Sequence, residues 1–188
     1  MGDLMEFVET PLQGAFVIEP APLCDERGSF ARVFCARTFR EHGLCDHFVQ
    51  TNHTQTQKAG TIRGLHYQLP PVGEAKLLRC VRGEVFDVIV DVRRNSRSFL
   101  QWYGVDLSEQ NRKMIYVPPG FGHGFQALTD ACEVTYQSSA EYTPQQERQV
   151  RFDDPRIGIV WKPLAPILSP KDASTAWLDV DFGGVDLA

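Results

Sequence analysis

Along most of the chain, apolar and polar positions alternate with a period of two. Ser29–Phe34, Phe48–Thr56, Thr61–Gln68, Lys76–Arg82, Glu84–Val92, Trp102–Leu107, Lys113–Val117, Gly122–Leu128 and Cys132–Ser138 are short runs rich in β-branched and aromatic residues, and polar, Gly or Pro punctuation separates most of them. This spacing predicts an all-β sandwich or barrel. The one helix expected before Pro163 is Cys35–His42, where Phe39 follows Cys35 at i+4 and Gly43 supplies a left-handed stop. Pro163 to Ala188 reads as loops and a short helix packing on the sheets.

Two runs raise chemical questions. In Glu84–Val92, Phe86, Val88, Val90 and Val92 fall on one face and Val85, Asp87, Ile89 and Asp91 on the other, so carboxylates sit beside apolar groups and need partners if buried. In Thr61–Gln68, Arg63 and His66 fall on opposite faces and share a pocket only if a bulge or the strand end re-aims one of them.

The chain has 188 residues, a length that predicts one domain with a full-sized core. Its 43% apolar and 23% charged residues exclude disordered, collagen-like and coiled-coil classes. A net charge of −5 gives no overall basic field for nucleic acid or an anionic membrane, so an anionic ligand would need a local cationic pocket. No apolar stretch is long enough for a membrane span, and Met1 to Pro11 has no cationic stretch followed by an apolar run. The expected location is the cytoplasm. Cys24, Cys35, Cys45, Cys80 and Cys132 form neither a C-x-x-C motif nor a regular disulfide framework, and are read as reduced, packed thiols.

Two Gly/His clusters hold the candidate chemistry, Gly60-Thr-Ile-Arg-Gly-Leu-His66-Tyr-Gln68 and Pro118-Pro-Gly120-Phe-Gly-His123-Gly-Phe. They resemble halves of the two cupin signatures. Where metal-binding cupins have a second histidine, this chain has Gln68, and Glu74 is one position beyond the usual distance of the acidic ligand. His66 and His123 alone are fewer than the three protein ligands of a catalytic zinc site, so no metal is expected. An imidazole free of metal, with an unperturbed pKa of about 6.5, suits general-base work at neutral pH. A lone strand histidine is also a common structural residue.

Seven ordered segments extend the resemblance over Gly14 to Asp172: Asp25-Glu-Arg-Gly-Ser-Phe30, Gln50-Thr-Asn-His-Thr54, Arg63-Gly-Leu-His-Tyr-Gln68, Lys76-Leu-Leu-Arg-Cys80, Gly83-Glu-Val-Phe-Asp-Val-Ile-Val-Asp91, Pro119-Gly-Phe-Gly-His-Gly-Phe125 and Ser169-Pro-Lys-Asp172. Together they resemble the dTDP-4-dehydrorhamnose 3,5-epimerases. That resemblance implies one cupin-type jelly-roll domain over 1–188, with a few short helices, in a homodimer whose N-terminal strands are exchanged. It implies a small-molecule nucleotide sugar as partner and no cofactor, because hydrogens on C3 and C5 flank the C4 ketone and their removal leaves charge that delocalises onto the C4 oxygen.

By the same resemblance, His66 is the base, oriented by Asp172; Lys76 stabilises the enolate; and Tyr136 returns a proton from the opposite face. Arg27 and Arg63 match pyrophosphate contacts, Gln50, Asn52 and Glu147 match polar substrate contacts, and Phe30 and Tyr142 match positions that stack on the pyrimidine. Asp172 also reads as the third residue of a helix capped by Ser169 with Pro170 at its first position. Arg32 stands where the family has a glutamate and Thr51 where it commonly has an aspartate, which leaves the nucleotide base open. His123 and Asp87 match positions inside the barrel, with a structural and a catalytic role both open. The rival readings are a C3-only or CDP-sugar epimerase, a metal-dependent cupin, and a non-catalytic sugar-binding cupin.

Overall fold

The computed structural model describes residues 4–187. Strands β1 (Met5–Glu9), β2 (Phe16–Pro20), β5 (Gln50–Thr56), β7 (Lys76–Arg82), β10 (Met114–Val117) and β12 (Cys132–Ser138) form a six-stranded sheet in the order β1-β2-β10-β7-β12-β5. A five-stranded sheet of β6 (Ile62–Gln68), β8 (Glu84–Asp91), β9 (Trp102–Ser108), β11 (Phe121–Ala127) and β13 (Glu147–Gln149) runs in the order β13-β6-β11-β8-β9. Among the described residues, short strands β3 (Leu23–Asp25) and β4 (Gly28–Phe30) pair only with each other. Helices α1 (Ala36–Glu41) and α2 (Pro170–Ala173) complete an all-β cupin jelly roll.

Period-two alternation sorts the side chains into layers. Val85 and Ile89 of β8 join Leu78, Cys80, Ile115, Phe121, Phe125 and Val134 between the two sheets. Phe86, Val88, Val90 and Val92 point outward and are covered by Val150, Ile157, Val185 and the aromatic residues of the C-terminal segment. The outer face of the six-stranded sheet is covered by α1 and its flanks. There Phe39, fully buried, meets Phe7, Phe34, Phe48 and Tyr116 edge-on, contacts each worth about 0.5–1.5 kcal/mol beyond the area they bury.

The carboxylates of β8 have the partners their burial requires. Asp91 accepts from the Arg93 side chain, Ser96 and Ser98, at 2.5–2.9 Å, while Asp87 lies 3.0 Å from His123 Nε2.

Several sequence expectations need correction. The strand expected over Ser29–Phe34 ends at Phe30, because its pairing partner is only three residues long. Residues 31–35 instead carry Val33, Phe34 and Cys35 into the layer beneath α1. The helix keeps Ala36–Glu41, with Cys35 and His42 as its caps. Strands β1, β2, β3 and β13 were not anticipated. The first two interrupt their alternation with Glu or Pro, and β13 is only three residues long.

Candidate functional site

The question posed by Arg63 and His66 is resolved by a bulge in β6. His66 faces His123 of β11, yet Arg63 faces Phe125, so three steps on one strand oppose two on the other. Both side chains therefore lie on the side occupied by His123 and Phe125, where Arg63 stays exposed and His66 is partly buried. Gly64 makes the bulge possible. Its φ is +117°, and a Cβ there would fall 2.6 Å from Gly124 Cα and from the His123 carbonyl oxygen.

His66 projects into a cavity of about 390 Å³ that is also lined by Gln50, Asn52, Tyr67, Glu74, Lys76, Tyr136, Ser138, Tyr142 and Glu147. The two sheets contribute opposite walls. His66 comes from the five-stranded sheet, whereas Lys76 and Tyr136 come from adjacent strands of the six-stranded sheet, where Lys76 pairs with Ser138 and Tyr136 with Leu78.

His66 Nε2 lies 2.9 Å from Asp172 Oδ1 and donates to it, which leaves the lone pair on Nδ1, a nitrogen without a hydrogen-bond partner among the described residues. Asp172 is delivered by α2. Ser169 caps that helix by accepting from the Asp172 backbone N–H at 3.0 Å, and its hydroxyl donates to Asp172 Oδ2 at 2.8 Å. Gln149 donates to Asp172 Oδ1 at 3.1 Å. Burial pushes the Asp172 carboxyl up, but hydrogen bonds from His66 and Ser169 with the positive charges nearby outweigh it and hold the group below its ordinary value. Asp172 thus sits in the first turn of a helix capped by Ser169 and within hydrogen-bond distance of His66.

Across the cavity, the Lys76 ammonium is 2.9 Å from Glu74, with both side chains nearly buried. Burial, with the Glu74 charge second, raises the Tyr136 phenol above its usual value against an opposing pull from Arg63, so the hydroxyl stays protonated through neutral pH. Arg63 itself donates to Thr56 Oγ1 and the Gln55 carbonyl.

Gln68 and Glu74, at the positions compared with cupin metal ligands, are engaged otherwise. Gln68 donates to the carbonyls of Val72 and Glu141 and accepts from Thr143 N–H at 2.6 Å, which pins the loop that presents Tyr142. Tyr142 donates to Glu147 at 3.1 Å, and its backbone N–H donates to Gln50 at 2.7 Å. Lys171 also pairs with Glu147. Burial raises the Glu147 carboxyl, but the Lys171 bond and neighbouring positive charge more than reverse it. Among the described residues no group of three or more His, Cys, Asp or Glu side chains converges as a metal site would require.

The chain as a whole can be set beside known proteins. A sequence profile of the dTDP-4-dehydrorhamnose 3,5-epimerases matches residues 9–179. The chain belongs to that family. The dTDP-4-dehydrorhamnose 3,5-epimerase of Shigella flexneri is 42% identical over 180 residues, 95% of this chain and 99% of that one. The crystal structure of the Legionella pneumophila dTDP-6-deoxy-D-glucose-3,5-epimerase in complex with dTDP-4-keto-L-rhamnose matches with a TM-score of 0.88 and 38% identity, covering 96% of this chain and 98% of that one. ChmJ, a 3'-monoepimerase from Streptomyces bikiniensis in complex with dTDP-quinovose, matches with a TM-score of 0.85 and 34% identity, covering 90% and 86%.

Within this epimerase-family chain, His66, Lys76, Tyr136, Gln50, Asn52, Tyr142 and Glu147 line one cavity, with Asp172 behind His66 and Arg63 close enough to act on Tyr136. Arg27 and Phe30 are not brought to it. They sit on the β3–β4 hairpin, where the Arg27 side chain is 85% exposed and pairs only with Asp25, and Phe30 is 60% exposed. Pairing with each other alone leaves these strands no hold on the site of their own chain. Tyr67, Ser138 and Gln149 are site residues that sequence reasoning missed, and it weighed Glu74 only as a metal ligand. The signal for Glu74 was its i, i+2 relation to Lys76, which puts two opposite charges on one side of an extended segment.

No described helix is long and apolar enough to cross a membrane.

Proposed function

We propose that the cavity epimerises a nucleotide-linked 4-keto-6-deoxyhexose, dTDP-4-dehydro-6-deoxy-D-glucose, at C3 and C5 to give dTDP-4-dehydro-L-rhamnose without a cofactor. The single observation that carries this reading is the placement of the His66–Asp172 pair on one wall and of Lys76 with a protonated Tyr136 on the other. His66 Nδ1 takes the hydrogen from the carbon beside the ketone, the C–H electron pair moves toward the C4 oxygen, and the Lys76 ammonium stabilises the charge that gathers there. Tyr136 then delivers a proton to the opposite face of the same carbon, which inverts it. Asp172 holds the imidazole with its lone pair toward the substrate and balances the charge that His66 acquires.

Substrate grip is assigned to Gln50, Asn52, Arg63, Tyr142 and Glu147. The exposed, self-paired hairpin of Arg27 and Phe30 suits a homodimer in which each chain extends its N-terminal strands over its partner's cavity, placing a guanidinium at the pyrophosphate and an aromatic ring at the base. We read 1–188 as one catalytic domain and its location as cytoplasmic, in keeping with five free thiols.

Incubation with the 4-keto sugar nucleotide in D₂O tests the reaction. Two deuterons, at C3 and C5, are expected. The likeness to a 3'-monoepimerase makes the count decisive, because one deuteron at C3 alone would replace the reading with a C3 epimerase, and none would leave only a sugar-binding protein.

A further inference from the structure

Glu74 has no part in the proton transfers just described, yet it shares their cavity. It lies immediately before β7, two residues from Lys76, in a Pro- and Gly-containing segment that reaches β7 through buried Ala75. The Ala75 backbone N–H donates to Ser139 Oγ at 2.8 Å and its carbonyl accepts from the Ser139 N–H, so the segment is tied to the end of β12. The carboxylate is consequently held in place, 2.9 Å from the Lys76 ammonium and on the same wall as Tyr136.

We propose that Glu74 is a positioning residue for the epimerisation, anchoring the Lys76 ammonium at the cavity wall and placing a fixed negative charge in the cavity that Tyr136 lines. The inference rests on the roles given above to Lys76 and Tyr136. An unanchored lysine side chain samples many rotamers, whereas one held at 2.9 Å presents its remaining N–H donors in a limited set of directions. The same negative charge adds to burial in disfavouring the phenolate. The other charged or titratable groups lining the cavity with Tyr136 are Lys76 on β7, His66 and Tyr67 on β6, Glu147 on β13 and Tyr142 on the adjoining loop, while Arg63 of β6 acts on the phenol and Arg79 of β7 lines a second cavity with Tyr136. Of these, Arg63 opposes Glu74 at the phenol.

The test compares wild type, Glu74→Gln and Glu74→Asp by two measurements. The first is ionisation of Tyr136, read as the ultraviolet phenolate difference between each protein and its Tyr136→Phe counterpart. The second is the pH profile of deuterium exchange into the 4-keto sugar nucleotide, with folding checked by circular dichroism at each pH. Glu74→Gln should move the Tyr136 ionisation and the alkaline limb of exchange to lower pH together, by about half a unit to one unit. Glu74→Asp keeps the charge but shortens the arm, so its ionisation should stay near wild type while exchange slows several-fold at every pH. Unmoved ionisation and limb in Glu74→Gln would overturn the proposal and leave Glu74 a structural ion-pair partner. Ionisation that moves without the limb would instead remove Tyr136 from the rate-governing chemistry, and Glu74's part in the reaction with it.

Discussion

Two histidine–carboxylate pairs stand in neighbouring strands of the five-stranded sheet, with His66 and His123 facing each other in register. The His123 side chain is 9% exposed and Asp87 0%; His66 is 31% exposed and Asp172 7%. Asp87 lies on β8, two residues from His123's register partner Ile89, so both members of the inner pair belong to the most enclosed strands of the sheet. Asp172 arrives from 106 residues away on a helix of four residues. Identical functional groups thus have different capacities. The inner pair is locked by both Asp87 oxygens, at 3.0 and 3.1 Å, in a site with little access. The outer pair leaves one ring nitrogen without a partner among the described residues, on a histidine that lines a cavity of about 390 Å³. On the proposed reading, access separates a base from a structural histidine: beyond His66 the sheet continues with the three-residue β13, whereas beyond His123 it continues with β8 and β9.

The contrast predicts that removing each histidine damages a different property. His66→Ala should reduce exchange at both C3 and C5 by on the order of 10²–10⁴-fold or more, the usual contribution of positioned proton transfer. Its fold should survive, because Asp172 keeps its bonds from Ser169 and Gln149. Exchange at the wild-type rate in this variant, by mass spectrometry after incubation in D₂O, would mean that the base is another group.

His123→Ala should act on stability first. Leaving Asp87 buried without its partner costs about 3 kcal/mol, and for a chain of this length that lowers Tm by roughly 10 °C. Replacing both residues by apolar ones of similar volume should cost less than removing the histidine alone. Calorimetry on the single and double variants checks both statements. A His123→Ala protein with unchanged Tm and lost exchange would erase the distinction between the two pairs.

The comparison also separates what the sequence could disclose from what it could not. Alternation in Glu84–Val92 disclosed both faces of β8 and the need of Asp87 and Asp91 for partners, because a strand's periodicity is local. The bulge that brings Arg63 and His66 to one side depends on the contact of Gly64 with Gly124 across two strands, and no property of Arg63-Gly-Leu-His66 alone dictates it. Asp172 was legible twice, as a helix-start residue from Ser169-Pro-Lys-Asp172 and as His66's partner only through family resemblance. Glu74 was visible as a residue but was weighed as a metal ligand, since its ion pair with Lys76 depends on how the preceding loop is tied to Ser139. The short pairing of Leu23–Asp25 with Gly28–Phe30 escaped detection for the same reason, being fixed by a partner and not by pattern.

Asp172→Asn probes the outer pair with the geometry nearly kept. A hydrogen bond to a charged group is worth about 1.5–3 kcal/mol, so exchange should fall roughly ten- to a hundredfold. Its pH dependence has a definite sign. The folded carboxyl is held below the ordinary value of 3.8, so the stability that it contributes is fully present above that value and is lost as the pH falls through the lower, folded value. Urea unfolding of wild type and Asp172→Asn should therefore differ at about pH 5 and converge in the acid range below 3.8. A gap that persists undiminished at the acid end would contradict the hydrogen-bond account of Asp172.

Ser169→Ala gives the smallest effect and isolates how the outer carboxylate is delivered. The serine accepts the Asp172 N–H as N-cap and donates its hydroxyl to Asp172 Oδ2, so its loss frees the start of α2 and one carboxylate oxygen together. Loss of such a cap costs about 1 kcal/mol. Because α2 has only four residues and lies at the edge of the fold, held by Asp172, Lys171 and the Ala173 carbonyl, that cost should appear as local opening and not as global unfolding. Amide hydrogen exchange should accelerate around Lys171–Ala173 while the strands carrying His123 and Asp87 stay protected, and epimerisation should slow several-fold. Equal loss of protection in β8 and β11 would mean that the two pairs belong to one cooperative unit, with no independently movable carboxylate behind the base.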